Sequence, residues 1–249
     1  MEGLDCVSTG IPGMDELLDK KGIPRGYTVF LIGDPGAGKT IFAIQFLYSG
    51  ATQCDETGVY ISLDENTEDI KRVMSGFNWD LGKLEEEGRL VMIDASPIRR
   101  LSGDLRLGGY NIGSADFSFS NLIDKIKRKI REVGAKRVVI DPLTIIKMQF
   151  PDETKRWYAV KDLMENLAEL GCTVLLVSEV RGPVGNREYL FEEFLTQGVI
   201  LLRVILFGGR FTNVVHVEKM RGLRHDRQLR PFQITSEGIK VYPEDVVLL

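Results

Sequence analysis

The sequence predicts an α/β protein whose mostly parallel central sheet is flanked by helices and extended by antiparallel C-terminal strands. The first observation is a regular alternation of strand-like and helix-like segments between residues 27 and 177. The second is a glycine-rich turn at residues 33–40, placed between a strand-like and a helix-like segment. The third is a series of short β-rich segments after residue 198, separated by Gly-Gly and Ser-Glu-Gly turns. We expect one domain spanning residues 1–249.

The glycine-rich turn reads Gly-Asp-Pro-Gly-Ala-Gly-Lys-Thr and fits G-x-x-x-x-G-K-[ST], the pattern of a phosphate-binding P-loop. Residues 27–32 before it are apolar and β-rich, which predicts a buried strand. The apolar spacing after it predicts a helix that we expect to stop at Gly50. Strand, turn and helix therefore follow in the order that this motif requires.

Each residue type in the turn has a chemical reason. Glycines let backbone N–H groups approach phosphate oxygens without a Cβ in the way. Lys39 can reach the β- and γ-phosphates, Thr40 offers a hydroxyl to Mg²⁺, and the following helix directs its positive end at the anion. The residues expected to hold the nucleotide are Gly33, Asp34, Pro35, Gly36, Ala37, Gly38, Lys39, Thr40 and Ile41.

The remaining segments continue the alternation. We predict strands at residues 58–63, 89–95, 137–140 and 173–177. Apolar helix faces are predicted at Ile70, Val73, Met74 and Phe77, and within residues 122–133 and 157–167. Residues 97–116 and 179–197 are predicted as loops. The later strands are predicted at residues 198–207, 210–219, 232–234 and 238–241.

Composition excludes several classes of protein. The hydrophobic share of 43% suits a globular protein with a buried core, and the net charge of −4 argues against a protein that mainly coats nucleic acid. Three scattered cysteines, and two histidines without cysteine neighbours, predict neither a disulfide framework nor a structural zinc site. Apolar stretches are too short to span a bilayer. We expect a cytoplasmic protein without a membrane partner.

A P-loop needs a second acidic residue to hold Mg²⁺. Asp141 ends the apolar strand predicted at residues 137–140, and carboxylates at the carboxyl ends of parallel strands face the same crevice as the P-loop. We therefore interpret Asp141 and Thr40 as the metal-binding pair. The alternative is that Asp-Pro is only a strand-ending turn.

Hydrolysis also needs a group that orients or deprotonates water. Asp64 and Glu65 end the strand predicted at residues 58–63, and at least one of them is our candidate for this role. Acidic residues here also suit the start of a helix, with Asn66 or Thr67 as its cap. The two interpretations are compatible.

Further short stretches make the chain resemble the RecA superfamily and, within it, the KaiC-like ATPase domains. They are residues 8–15, 44–48, 62–66, 77–80, 192–194 and 219–222, of which the last reads Lys-Met-Arg-Gly. The resemblance covers nearly the whole chain. It implies a RecA-like P-loop NTPase fold and ATP or ADP with Mg²⁺, bound between the subunits of a homo-oligomeric, hexameric ring.

The resemblance also implies roles for residues near the C-terminus. Lys219 and Arg221 fall on the family's Lys-x-Arg-Gly motif and would reach the γ-phosphate bound to the neighbouring subunit. His225, Thr235 and Ser236 fall where the family makes further nucleotide contacts across the interface. The family's acidic pair is usually Glu-Glu, so Asp64 in the first place implies slow hydrolysis or a shift of the role to Glu65.

Two alternatives share this fold. A RecA-like DNA-dependent ATPase would bind nucleic acid through Arg99, Arg100, Arg106 and the loop at residues 181–187, although the acidic pI of 5.4 disfavours it. An ATP-binding switch with little turnover would release an unknown protein partner on nucleotide exchange. Asp64 in place of Glu favours this second alternative.

Overall fold

The computed structural model describes residues 4–19, 21–96, 106–107, 110–111, 119–150 and 152–248. The strands in these ranges are β1 (Cys6–Val7), β2 (Ile23–Pro24), β3 (Thr28–Gly33), β4 (Gly58–Ser62), β5 (Leu90–Asp94), β6 (Arg106–Leu107), β7 (Tyr110–Asn111), β8 (Arg137–Asp141), β9 (Thr173–Glu179), β10 (Gly198–Phe207), β11 (Arg210–Met220), β12 (Arg230–Thr235) and β13 (Gly238–Val241). The α-helices are α1 (Lys39–Gln53), α2 (Thr67–Met74), α3 (Leu81–Glu86), α4 (Phe119–Val133), α5 (Leu143–Met148), α6 (Glu153–Ala168) and α7 (Glu192–Leu195).

A nine-stranded sheet organises the molecule, in the order β13-β12-β11-β10-β3-β9-β8-β4-β5. The strands from β10 to β5 pair in parallel, and β11, β12 and β13 continue the sheet in antiparallel pairs. This arrangement confirms the predicted fold class, including its antiparallel C-terminal strands. None of the helices in the described ranges combines the length and the apolar character that crossing a bilayer demands.

The two faces of the sheet bury separate apolar layers. Val29 and Leu31 of β3 pack in the layer that contains Phe42 and Phe46 of α1. Phe30 and Ile32 pack on the other face, among side chains of α4 and α6. Because both faces are covered, β3 is buried throughout, and its residues 29–32 are all apolar rather than alternating. The core therefore fixes the strand that leads directly into the P-loop.

The prediction that Gly50 ends the first long helix is wrong, because α1 continues to Gln53. Gly50 instead makes room for a buried side chain: a Cβ at this position would lie 2.5 Å from Nε of Arg137. Arg137 is fully buried and donates to Glu56 at 2.6 Å and to the carbonyl of Phe46 at 2.9 Å. Tertiary packing, rather than helix propensity, explains this glycine.

Three further predictions need correction. Val73 was predicted on a buried helix face, but it is exposed while Ile70 and Met74 are buried, because α2 ends at Met74 and a tighter turn follows. The loop predicted at residues 97–116 contains the short antiparallel pair β6 and β7; its other residues lie outside the described ranges. The loop predicted at residues 179–197 contains α7.

Candidate active site

The carboxyl ends of four neighbouring parallel strands meet at one edge of the sheet. The register pairs Gly33 of β3 with Glu179 of β9, and Ser62 of β4 with Asp141 of β8. A cleft of about 160 Å³ opens there. Its walls are Lys39, Thr40, Tyr60, Ser62, Asp64, Glu65, Ile70, Asp141, Pro142 and Glu179. The fold thus gathers the candidate phosphate-, metal- and water-handling side chains of residues 39–141 in one place.

Glycines shape the P-loop. Gly36 and Gly38 have φ angles of 77° and 88°, in the left-handed region that residues with a Cβ rarely adopt. A Cβ at Gly33 would lie 2.4 Å from the carbonyl oxygen of Leu202, so only glycine fits between β3 and β10. A Cβ at Gly36 would meet no atom within 4 Å. Gly33 is therefore needed for packing, whereas Gly36 is needed for its backbone conformation.

Some backbone groups of the P-loop hold the loop itself. The N–H of Asp34 donates to the carbonyl of Leu202 at 3.0 Å, and the N–H of Ala37 donates to the carbonyl of Asp34 at 3.1 Å. Pro35 has no N–H to offer. The first N–H groups of α1 point out of the helix end without intrahelical acceptors. An anion would therefore meet chiefly the amides of Gly36, Gly38, Lys39 and Thr40.

The side chain of Asp34 anchors the P-loop to β10. Its Oδ2 accepts a hydrogen bond from Nε of Arg203 at 3.0 Å and another from the N–H of Val204 at 2.8 Å. Arg203 is buried and also donates to the carbonyl of Gly182 at 2.9 Å. Local sequence reasoning missed this link because Arg203 lies about 170 residues after Asp34 in the chain.

Lys39 lies folded over the loop. Its ammonium donates to the carbonyls of Gly33 and Asp34, each at 3.0 Å. Burial lowers the pKa of Lys39, while the carboxylates of Glu179, Asp141 and Asp34 oppose the change. Lys39 also lines the cleft, where its positive charge would attract a bound anion.

Two hydroxyl groups converge on Asp141. Oγ1 of Thr40 donates to Oδ2 of Asp141 at 2.9 Å, and the buried hydroxyl of Tyr60 donates to the same oxygen at 2.8 Å. Burial raises the pKa of Asp141; the hydroxyls of Tyr60 and Thr40 and the charge of Lys39 lower it, and Glu65 adds to the rise. A hydroxyl beside one carboxylate is an oxygen donor set of the kind that Mg²⁺ shares with substrate phosphates. These residues fit that cation.

Asp64 and Glu65 lie on the turn between β4 and α2. Oγ of Ser62 donates to the carbonyl of Glu65 at 2.5 Å, and the N–H of Glu65 donates back to Ser62 at 3.2 Å. Asn66 caps α2 by accepting from the N–H of Glu68, which confirms the capping interpretation. The charge of Glu65 contributes to the raised pKa of both Tyr60 and Asp141, and Glu65 lines the same cleft as the candidate metal ligands Thr40 and Asp141.

Sequence reasoning missed Glu179 and Tyr60. Glu179 ends β9, as Asp141 ends β8, and its carboxylate accepts from the hydroxyl of Thr144. The predicted strand ends at residue 177, two residues short of Glu179. The sequence pattern therefore does not mark Glu179 as an acidic residue at the end of a strand. Tyr60 sits inside a buried apolar strand and gives no local signal.

Lys219 and Arg221 lie away from this cleft in the same chain. Lys219 of β11 pairs with Val199 of β10, and Val199 pairs with Phe30 of β3. Lys219 is therefore level with Phe30, about 10 Å along the strand direction from Gly33. Its ammonium donates to the carbonyl of Glu193, and Arg221 donates to the carbonyl of Phe194 at 3.1 Å. Burial lowers the pKa of Lys219, and Arg221 adds to the effect. Both cations thus bind the carbonyl end of α7.

The other residues that the resemblance singled out fall in two places. Nδ1 of His225 lies 3.2 Å from the carbonyl of Leu223, in the segment after Arg221. Thr235 lies at the turn between β12 and β13, where its hydroxyl donates to the carbonyl of Gly238 at 2.9 Å, and Ser236 follows it. Cδ1 of Ile234 lies 3.1 Å from the Cβ position of Gly38, so this turn borders the P-loop of its own chain. The expected contact of Thr235 and Ser236 across an interface stays a prediction.

Comparisons with known proteins agree with this geometry. The family model described as the ATPase KaiC matches residues 7–246. The chain is 38% identical to UPF0273 protein MJ1359 of Methanocaldococcus jannaschii, over 98% of both chains. It is 35% identical to the circadian clock oscillator protein KaiC of Parathermosynechococcus lividus, over 98% of this chain but 43% of that protein. The crystal structure of the KaiC-like protein PH0186 from Pyrococcus horikoshii superposes with a TM-score of 0.82 and 35% identity, over 96% of this chain and all of the other.

Proposed function

The chain belongs to the KaiC ATPase family, and from that premise we propose that it hydrolyses Mg²⁺-ATP at sites shared between the subunits of a ring. Nucleotide binding and hydrolysis are the general property of such a domain. The shared site, the dependence on Mg²⁺ and the ring belong to the proposal. The division of roles among the residues also belongs to the proposal. The single domain and the cytoplasmic location belong to it as well.

One observation carries the proposal. The cleft gathers Lys39, Thr40, Asp141 and the Asp64–Glu65 pair, but the described residues that line it include no second cation to neutralise charge that develops during phosphoryl transfer. Arg221 lies at the other end of β11, too far to reach the P-loop of its own chain. A head-to-tail ring would bring that end of one subunit to the cleft of the next.

The residues would then act as follows. The backbone of residues 36–40 and the Lys39 ammonium bind the phosphates and orient them. Thr40 and Asp141 would hold Mg²⁺, which when bound supplies charge neutralisation for the phosphate oxygens. Asp64 or Glu65 would hold or deprotonate the attacking water. Lys219 and Arg221 of the neighbouring subunit would stabilise the developing negative charge.

Phosphate release measured across a wide range of protein concentration tests this proposal. A shared site predicts a specific activity that rises with concentration and saturates as the oligomer forms. Arg221→Ala should keep nucleotide affinity and lose turnover. The control Arg72→Ala, at an exposed position on α2, should keep both affinity and turnover. Specific activity independent of concentration down to the monomer would contradict the shared site. Lys39→Ala that binds ATP as tightly as the unmodified chain would overturn the assignment of the P-loop.

The switch is the second candidate, and Asp64 is the observation that favours it. Its shorter side chain holds water less well than the Glu expected at this place. Saturable binding of Mg-ATP without phosphate release at any concentration would support the switch and its unidentified protein partner.

The nucleic-acid alternative loses one of its supports, because Arg187 is buried in ion pairs with Glu193 and Glu218. Arg99 and Arg100 lie outside the described residues.

A further inference from the structure

A second and larger cleft lies on the β10–β11 side of the molecule. Its volume is about 430 Å³, within the range of small-molecule sites, which is roughly 300–1,000 Å³. Its walls come from the loop at residues 184–189, from β10 and β11, and from the segment at residues 227–229. We call it the arginine cleft, because Arg187, Arg203 and Arg227 line it together with His216. Lys39, Thr40 and Asp141 line the other cleft and do not reach it.

The three arginines of the arginine cleft are matched in number by three carboxylates, but the pairing is uneven. Arg187 donates to both carboxylate oxygens of Glu193 at 2.7 Å and to Glu218, which also lines the cleft, at 2.6 Å, so two carboxylates surround this one guanidinium. Arg203 is paired with Asp34. Arg227 is exposed and forms no ion pair with any residue that the structure describes. Among the described residues that line the cleft, Arg227 is therefore the arginine that no carboxylate holds, and it lines the same cleft as the His216 ring.

His216 adds a polar group that responds to a nearby anion. Its ring is half-buried on β11 and lines the cleft. Burial lowers the pKa of His216; Glu218 opposes this, while Arg227, Arg187 and His225 add to the lowering. A negative ligand between Arg227 and His216 would reverse part of that effect and favour the protonated ring.

The remaining wall is apolar. Val184, Leu201 and Leu229 contribute aliphatic surface beside these cations. Inorganic phosphate would leave that surface uncovered, whereas an anion with an apolar or ring-shaped body would cover it. From this combination of volume, charge and apolar wall, we propose that the arginine cleft binds a small organic anion through a phosphate or carboxylate group held by Arg227 and His216.

The arginine cleft is connected to the P-loop. Arg203, which lines the cleft, donates to Asp34 at 3.0 Å, and Asp34 opens the segment that binds phosphate in our account. Arg203 also donates to Gly182, next to the loop that forms one wall. An anion in the cleft competes with Asp34 for Arg203, so ligands at the two clefts change each other's affinity by the same factor. The cleft is thus an effector site for the P-loop.

The binding claim is tested with 1-naphthyl phosphate and 1-naphthoate as probes and 2-naphthol as the neutral control, with Mg-ADP added to occupy the P-loop. NMR signals of the two histidine rings give a readout that is independent of turnover, and His225→Gln assigns them. We expect saturable shifts of the His216 signals and a rise in its pKa. Arg227→Ala should weaken binding about tenfold. Arg210→Ala, at an exposed arginine that starts β11 and does not line the cleft, should not. The two anions separate phosphate from carboxylate recognition.

Several results would overturn the proposal. They are His216 signals that stay unchanged, equal binding by the Arg227→Ala variant, and equal binding of the neutral control. Displacement of the probe by a short single-stranded oligonucleotide would assign the surface to nucleic acid instead. A Kd for Mg-ADP that is the same with and without bound probe would contradict the link through Arg203. Failure to hydrolyse ATP would leave the His216 result standing, so the two proposals fail separately.

Discussion

At the scale of single residues, the proposed Mg²⁺ site depends on the protonation state of Asp141. A protonated Asp141 is neutral and loses its value as a metal ligand. Burial raises its pKa, while the hydroxyl donors from Tyr60 and Thr40 lower it by stabilising the carboxylate. In the proposed site, the raised pKa predicts that affinity for Mg²⁺-nucleotide is lost at a higher pH than an ordinary aspartate would give.

Tyr60→Phe tests this account of Asp141. The variant keeps the ring and removes the hydroxyl that donates at 2.8 Å. Since one donor to the carboxylate is lost, the pKa of Asp141 should rise further, and the acid limb of Mg-ADP affinity should move to higher pH. Affinity titrations over a pH series measure the limb, with Tyr48→Phe on α1 as the control. A limb that is unchanged, or that moves to lower pH, contradicts the assigned role.

Arg137 shows a second residue effect, on stability rather than on binding. It is fully buried, bonds to Glu56, Ser8 and Phe46, and lies 4.6 Å from the centre of the Phe46 ring. Arg137→Leu leaves a partly uncompensated carboxylate and two carbonyls without their donor, so the free energy of unfolding should fall by about 3–5 kcal/mol.

Urea unfolding measures this loss. Arg72→Leu is the control, because Arg72 forms an exposed pair with Asp69 and its replacement should cost less than about 1 kcal/mol. Equal losses for the two variants would show that the buried network does not stabilise the fold as we describe.

At the scale of elements, the turn between β4 and α2 positions the two acidic candidates. Glu65 is exposed in the cleft, and its charge acts on both Tyr60 and Asp141. We therefore expect Glu65→Gln to slow phosphate release by about 10²–10⁴-fold and Asp64→Asn to slow it less. Single-turnover phosphate release and separate Mg-ADP affinities measure the two variants. The reverse order would assign the water to Asp64.

The ends of elements also explain what the sequence could predict. Buried parallel strands such as β3 and β8 are continuous apolar runs, and the acidic residue after each run marks the edge where the site forms. This reasoning located Asp141 and the Asp64–Glu65 pair. It missed Glu179 because β9 continues through Ser178, a polar residue that is buried by its neighbours.

Features that depend on distant packing were out of reach of local patterns. The sequence pattern predicts a helix stop at Gly50 because Arg137, the side chain that Gly50 accommodates, lies far along the chain in β8. Val73 fits the apolar period of α2 but faces solvent, because the helix is too short for the period to continue through Phe77. The bond from Arg203 to Asp34 joins residues that only the order of the sheet brings together.

At the scale of the whole molecule, the topology separates the two halves of the proposed active site. The P-loop follows the carboxyl end of β3. Lys219 near the end of β11 and Arg221 just after it lie at the opposite edge of the sheet, where the parallel strands begin. Both are held there by the carbonyls of α7. One chain can therefore offer a P-loop to one neighbour and a pair of cations to the other, as the heterologous interface of a closed ring requires.

Mixing two inactive variants tests this central claim most directly. Lys39→Ala subunits keep Arg221, and Arg221→Ala subunits keep Lys39, so neither variant alone forms a complete site. Random mixing places an intact P-loop against an intact Arg221 at about one quarter of the interfaces. We expect phosphate release to recover to about that fraction of the unmodified activity. Mixed oligomers that remain as inactive as either variant alone would contradict a site shared between subunits.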